Sequence, residues 1–164
     1  HPAMRVRPLR REDRSDVERL LVSTGMFSAV EIATALELVD ASITSGETSG
    51  YSVFVLDRSS DPATREVCGY VCFGPTPLTE GTYDLYWIAV ERSAQGNGYG
   101  RTLLEFVEHA VRERAGRLLL IETSSQDAYG GTIRFYERNG YPLIARIPDF
   151  YKPRDDKLVF AKNL

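Results

Sequence analysis

The chain has 164 residues, 43% hydrophobic and 26% charged, enough apolar material for the core of one compact domain. Twenty Lys and Arg against 23 Asp and Glu leave a formal charge of −3, which excludes the broad cationic surface that a nucleic-acid backbone requires. No apolar run approaches the roughly 20 residues of a bilayer-spanning helix, and Arg10-Arg11-Glu12-Asp13-Arg14 is no signal-peptide core, so a soluble, cytoplasmic protein with no membrane partner is expected. His1-Pro2-Ala3 precede Met4 and read as a remnant of expression, leaving residues 4–164 as one expected domain.

In chain order, Arg5 to Leu9 alternates as a short strand does, and Val17, Leu20 and Leu21 then fall at helical spacing before Gly25. Ser28 and Glu31 have capping-box spacing, and Ile32, Leu36, Val39 and Ile43 form one helical stripe. Tyr51–Asp57 and Glu66–Phe73 are rich in β-branched and aromatic residues around the turn-forming Arg58-Ser59-Ser60-Asp61-Pro62, which predicts paired antiparallel strands. Cys68 and Cys72 in the second of these lie about 13 Å apart along a strand, too far for a disulfide. Two thiols left reduced fit a cytoplasmic setting.

Thr82–Val90 alternates cleanly as a strand, the glycine-rich stretch 95–100 follows, and Leu103, Leu104, Val107, Ala110 and Val111 make a helical stripe closed by Gly116. Leu118-Leu119-Leu120-Ile121, apolar in every position, predicts a strand buried on both faces, with Glu122 directly after it. Thr132–Asn139 reads as a short helix with Gly140 as left-handed cap. Leu143–Ile147 and Lys157–Ala161 then read as strands flanking an irregular linker, Pro148 to Pro153. The order is that of a mixed α/β chain with its glycine loop at the central strand-to-helix junction.

Three glycines in five residues at the start of a helix let the backbone turn tightly and aim several N–H groups at one point, where the helix's unpaired donors and dipole attract an anion. Two common nucleotide motifs are excluded by spacing. A dinucleotide fingerprint begun at Gly96 or Gly98 meets Arg101 or Leu103 where glycine or alanine is needed, and no Gly-Lys-Ser/Thr exists for a Walker loop. The remaining pattern is Gln-x-x-Gly-x-Gly, as Gln95-Gly96-Asn97-Gly98-Tyr99-Gly100, after Trp87-Ile88-Ala89-Val90 and before Arg101-Thr102-Leu103-Leu104.

That pattern resembles the GCN5-related N-acetyltransferase (GNAT) family, as does Phe135-Tyr136-Glu137-Arg138-Asn139-Gly140-Tyr141 downstream, and element order is similar from Arg5 to Lys162. The resemblance implies a GNAT fold, a twisted mixed sheet of about seven strands flanked by about four helices. It implies acetyl-coenzyme A as co-substrate, with the amides of Gln95, Gly96, Asn97, Gly98, Tyr99 and Gly100 on the diphosphate and the backbone of Ile88, Ala89 and Val90 on pantetheine. Arg101 either solvates the helix surface or meets that diphosphate, which would offset the cost of a cation in the first helical turn. Dimers are common in the family, and the residues leave the oligomeric state open.

An amine that attacks a thioester must first lose a proton, and the departing thiolate benefits from a donor. Tyr136 occupies the family's acid position, although a tyrosine on a short helix is also an ordinary core residue. Glu122 resembles the base of members that acetylate protein N-termini, and apolar surroundings would raise its affinity for a proton; hydrogen bonding to Thr123 or nearby backbone is the plainer alternative. Asp84, between Tyr83 and Leu85, is the rival base. Many members carry an asparagine seven residues before the helix tyrosine, whereas Tyr129 stands here, with Asp127 two residues earlier. The amine acceptor, a small molecule or a protein amine, is expected near Phe27, Asp84 and Tyr151, with Phe150 and Asp155-Asp156 also candidates. His109 reads as solvated, and two histidines and two strand cysteines make no metal-ligand set. Acetyl transfer to a primary amine by direct attack in a ternary complex is therefore expected; the alternative is an acyl-coenzyme A sensor with the same loop and no turnover.

Overall fold

The computed structural model describes residues 4–126 and 130–164. Seven strands, β1 (Arg5–Pro8), β2 (Ser52–Asp57), β3 (Val67–Pro75), β4 (Thr82–Val90), β5 (Leu118–Ser124), β6 (Leu143–Lys152) and β7 (Asp155–Asn163), hydrogen-bond in the order β1-β2-β3-β4-β5-β7-β6. The α-helices are α1 (Arg14–Thr24), α2 (Ala29–Ser45), α3 (Tyr99–Glu113) and α4 (Gly130–Arg138). β4 and β5 run parallel, while β1–β2, β2–β3, β5–β7 and β6–β7 are antiparallel. The chain packs as two compact units: the described residues up to Gly74 with Trp87–His109, and Pro75–Tyr86 with Ala110–Leu164.

In the first unit, helix ends form where the sequence places them. Ser28 accepts the Glu31 N–H while Glu31 accepts the Ser28 N–H, completing the capping box of α2, and Gly25 closes α1 at φ +67°. Val17, Leu20, Leu21, Ala35, Leu36 and Val39 are buried on these helices, and β3 is buried from Val67 through Gly74. Gly69 is required by close approach: a Cβ there would lie 3.1 Å from Leu103 and 3.2 Å from the Ala89 carbonyl.

Beneath α1, Arg7 is buried with two carboxylates. Its guanidinium donates to Asp13 at 2.7 and 3.0 Å and to Asp57 at 3.0 Å. Burial opposes ionisation of both acids, but the Arg7 bond and the Arg10 N–H at Asp13, and the Ser59 and Glu66 N–H groups at Asp57, outweigh it and hold both below the ordinary carboxylate range.

The second unit departs from expectation in three places. Helix α3 ends with Ala115 in the left-handed region at φ +62°, not Gly116; Gly116 is needed because a Cβ would stand 2.2 Å from Val111 Cγ1. Strand β5 continues through Glu122 to Ser124, and of its four leading apolar residues only Leu119 and Ile121 are fully buried. The expected linker 148–153 is largely strand: β6 runs to Lys152 and turns into β7 over Pro153 and Arg154, the latter at φ +67°. Asp156 stabilises this hairpin by accepting the Asp149 N–H at 2.9 Å and pairing with Arg146 at 2.7 Å.

Candidate active site

The glycine loop and the end of β4 lie in the first unit; Asp84, Glu122, Tyr136 and Tyr151 lie in the second. After Val90 the chain makes one short helical turn, Arg92–Ala94, and Ala94 is buried beneath it. Gln95 reaches back from the loop, its Nε2 donating to the Val90 carbonyl at 3.1 Å. Asn97 Nδ2 donates to the Ala94 carbonyl at 2.9 Å, so two amide side chains tie the loop to its own entry. Gly96 and Gly98 take φ +84° and +78°, which side chains resist, and a Cβ on either would meet nothing within 4 Å.

Helix α3 starts directly at Tyr99, with the Gly98 carbonyl accepting the Thr102 N–H at 3.1 Å. The first-turn amides of α3 have no intrahelical acceptor, so a bent, glycine-lined loop carries free donors at the positive end of a 15-residue helix. These residues fit a diphosphate. Arg101 is exposed and pairs with Glu105 at 2.8 Å along the helix. Tyr99 hydrogen-bonds Arg58, a partner that raises the guanidinium's proton affinity and that no sequence spacing indicates. Phe27 packs edge-on against Trp87 at 5.3 Å, beside Ile88 on β4.

In the second unit, Glu122 extends from β5 with its side chain 44% exposed, so the apolar enclosure expected for it is absent. Its Oε2 meets Lys157 Nζ on β7 at 3.0 Å, and that ammonium also lies 4.5 Å from the Phe150 ring centroid. Phe150 stacks edge-on with Tyr151 at 4.9 Å, which brings Glu122, Lys157, Phe150 and Tyr151 into one chain of contacts. Lys157 was invisible to sequence reasoning because only the β5–β7 register, with Ser124 opposite Lys157 and Glu122 opposite Val159, sets it beside Glu122.

Tyr136 is 5% exposed, its ring 5.6 Å from Phe160 and 6.4 Å from Tyr141. Phe160 pairs with Ile121, so it shares the Ile121 face of the sheet, whereas Glu122 projects from the opposite face. Asp84 shares the Leu120 face and accepts the Thr76 hydroxyl at 2.7 Å. Asp127 and Tyr129 lie outside the described residues. Burial pushes the Cys68 thiol up to about 11 and the Cys72 thiol to about 12, so neither supplies a thiolate at neutral pH. Among the described residues there is no cluster of three or more His, Cys, Asp or Glu that could hold a metal ion, and no helix is long and apolar enough to cross a membrane.

The loop, the helix it opens and the strand before it define an acetyltransferase fold, and the acetyltransferase (GNAT) domain family matches residues 49–142. The chain belongs to the GNAT family. A GNAT-family protein from Desulfovibrio desulfuricans is 42% identical, with a TM-score of 0.91 over 98% of this chain and 99% of that one. The Salmonella typhimurium protein YncA, solved with acetyl-CoA, shares the fold at 20% identity and TM-score 0.72, covering 99% of this chain and 94% of its own. A ribosomal-protein-alanine N-acetyltransferase from Brucella melitensis does so at 20% identity and TM-score 0.73, covering 98% of this chain and 99% of its own. No curated protein matches the sequence.

Proposed function

We propose that this protein is a cytoplasmic N-acetyltransferase that moves an acetyl group from acetyl-CoA to a primary amine by direct attack in a ternary complex. The observation that carries the reading is the latched glycine loop: Gly96 and Gly98 at positive φ, with Gln95 tied to Val90, immediately before α3. The acetyl-CoA bound by YncA and the amine acetylation named for the Brucella protein support it. When bound, acetyl-CoA supplies an acetyl thioester.

The residues divide the work. Amides of residues 96–100 and the first turn of α3 bind the diphosphate, aided by Arg101 once it leaves Glu105, while Gln95, whose own N–H donates to the Arg92 carbonyl, holds the loop through its side chain. Backbone groups of Ile88, Ala89 and Val90 orient the pantetheine arm, and an N–H near Val90 stabilises negative charge on the carbonyl oxygen. Glu122 takes a proton from the acceptor amine, directly or through a water, at the carboxylate oxygen that Lys157 leaves over. Asp84 is the poorer base because Thr76 already donates to it. Tyr136 would give its hydroxyl proton to the sulfur that leaves as the thioester C–S bond is exchanged for the new C–N bond. Phe27 and Tyr151 contact the acceptor.

A thiol-release assay tests this with a panel of amines: a peptide with a free N-terminus, a lysine peptide, spermidine, an aminoglycoside and a free amino acid. Release that depends on one class of amine is expected. No release with any of them, while acetyl-CoA still raises the melting temperature, would replace the enzyme with the sensor.

A further inference from the structure

Lys157 handles no proton in the mechanism above, yet it holds one oxygen of Glu122, the residue to which that mechanism gives the amine's proton. Glu122 is a long side chain, 44% exposed. Left alone it would sample many rotamers. Lys157 is far less exposed, at 18%, and is held from two sides: Glu122 Oε2 at 3.0 Å and the Phe150 ring at 4.5 Å. It is thereby fixed enough to fix its partner.

The remaining groups on that face have partners of their own. Asp155 on β7 is buried and bonds Ser124, and Asp84 on β4 holds Thr76. β6 contributes the Phe150 ring, while its Arg146, across from Leu158 and so on the other face, is paired with Asp156. No other ion pair to Glu122 forms among the described residues.

Magnitude separates the possible purposes of the pair. A partly exposed ion pair adds little to folding stability, so stability is a weak reason for it. Geometry is a stronger one, because a base misplaced by about 1 Å can cost about a hundredfold in rate.

We propose that Lys157 is a positioning residue: clamped by the Phe150 ring, it tethers one oxygen of Glu122 and turns the other toward the acceptor amine. This rests on the reading of Glu122 as the base. Loss of the tether leaves the base present but poorly aimed, so it lowers turnover without weakening the hold on acetyl-CoA.

Four variants test it: Lys157→Met, Lys157→Arg, Phe150→Leu and Glu122→Gln, each assayed by thiol release with the best amine of the panel. Lys157→Met should lower kcat about tenfold or more, with KM for acetyl-CoA unchanged within about twofold and melting temperature nearly unchanged. Lys157→Arg should restore most of the turnover, and Phe150→Leu should fall between. A readout independent of turnover is the crystal structure of ligand-free Lys157→Met, in which the Glu122 carboxylate should occupy several rotamers instead of one. Full turnover in Lys157→Met beside collapse in Glu122→Gln, or a single unchanged Glu122 rotamer, overturns the tether alone. Full turnover in Glu122→Gln overturns the base assignment and the tether's purpose with it.

Discussion

Gln95 closes the glycine loop onto the strand before it: its side-chain Nε2 donates to the Val90 carbonyl at 3.1 Å. The bond joins the two segments to which cofactor binding is assigned, the strand end and the loop, without using any loop N–H. The N–H groups of residues 96–100 are left to face a diphosphate while the loop is held in shape; that of Gln95 itself donates to the Arg92 carbonyl at 3.3 Å.

Gln95→Ala removes that latch. With a single hydrogen bond worth about 1 kcal/mol, acetyl-CoA should bind about fivefold more weakly by calorimetry, while the melting temperature of the ligand-free protein hardly changes. Undiminished affinity would mean that the loop holds its shape without the glutamine.

Two glycines separate two physical requirements. Gly98 sits at φ +78° with no atom within 4 Å of the place a methyl would take, so Gly98→Ala costs backbone strain alone, about 1–2 kcal/mol, and most of its effect should appear as lost acetyl-CoA binding. Gly116→Ala drives a methyl to 2.2 Å from Val111 Cγ1 and should destabilise the fold by about 1–3 kcal/mol or more in denaturant titration. A thermal scan with and without acetyl-CoA distinguishes the two; equal behaviour would contradict the assignment.

Tyr136→Phe keeps the ring that packs on Phe160 and Tyr141 and removes only the hydroxyl. If that hydroxyl is the acid, kcat should fall about a hundredfold or more with acetyl-CoA binding intact. Turnover at the wild-type level would return Tyr136 to a packing role.

The acid limb of stability should come from Asp13 and Asp57. Both carboxyls are held below their ordinary values, so their contribution is present above about pH 4 and is lost as pH falls through the lower folded-state values. Circular dichroism should show unfolding that steepens below pH 4. Asp13→Asn, which leaves Arg7 short of its bidentate partner, should cost about 3 kcal/mol at neutral pH and flatten that slope. An unaltered slope would assign acid sensitivity elsewhere.

Local signals in this chain were legible wherever a few neighbouring residues decide the backbone. The Ser28–Glu31 capping box, the alternation of Thr82–Val90, the left-handed Gly140 and the glycine loop with its following helix all depend on contacts a few residues apart, and all form as read. The family resemblance rested on the same local motifs. The extent of β5 and β6 was not legible, because an edge hairpin such as 143–163 is stabilised by pairing rather than by its own composition: Asp156 supports Asp149 and Arg146 across strands.

By itself, then, the amino-acid order determined the order of the elements, the glycine loop and the set of candidate acids and bases, since propensity, spacing and capping act within a turn or two of chain. Tertiary structure decided which of those side chains meet. Glu122 is exposed and paired to Lys157, 35 positions away, while Tyr136 rests on the opposite face against Phe160, because strand register, a long-range property of hydrogen bonding between β5 and β7, sets what each face presents.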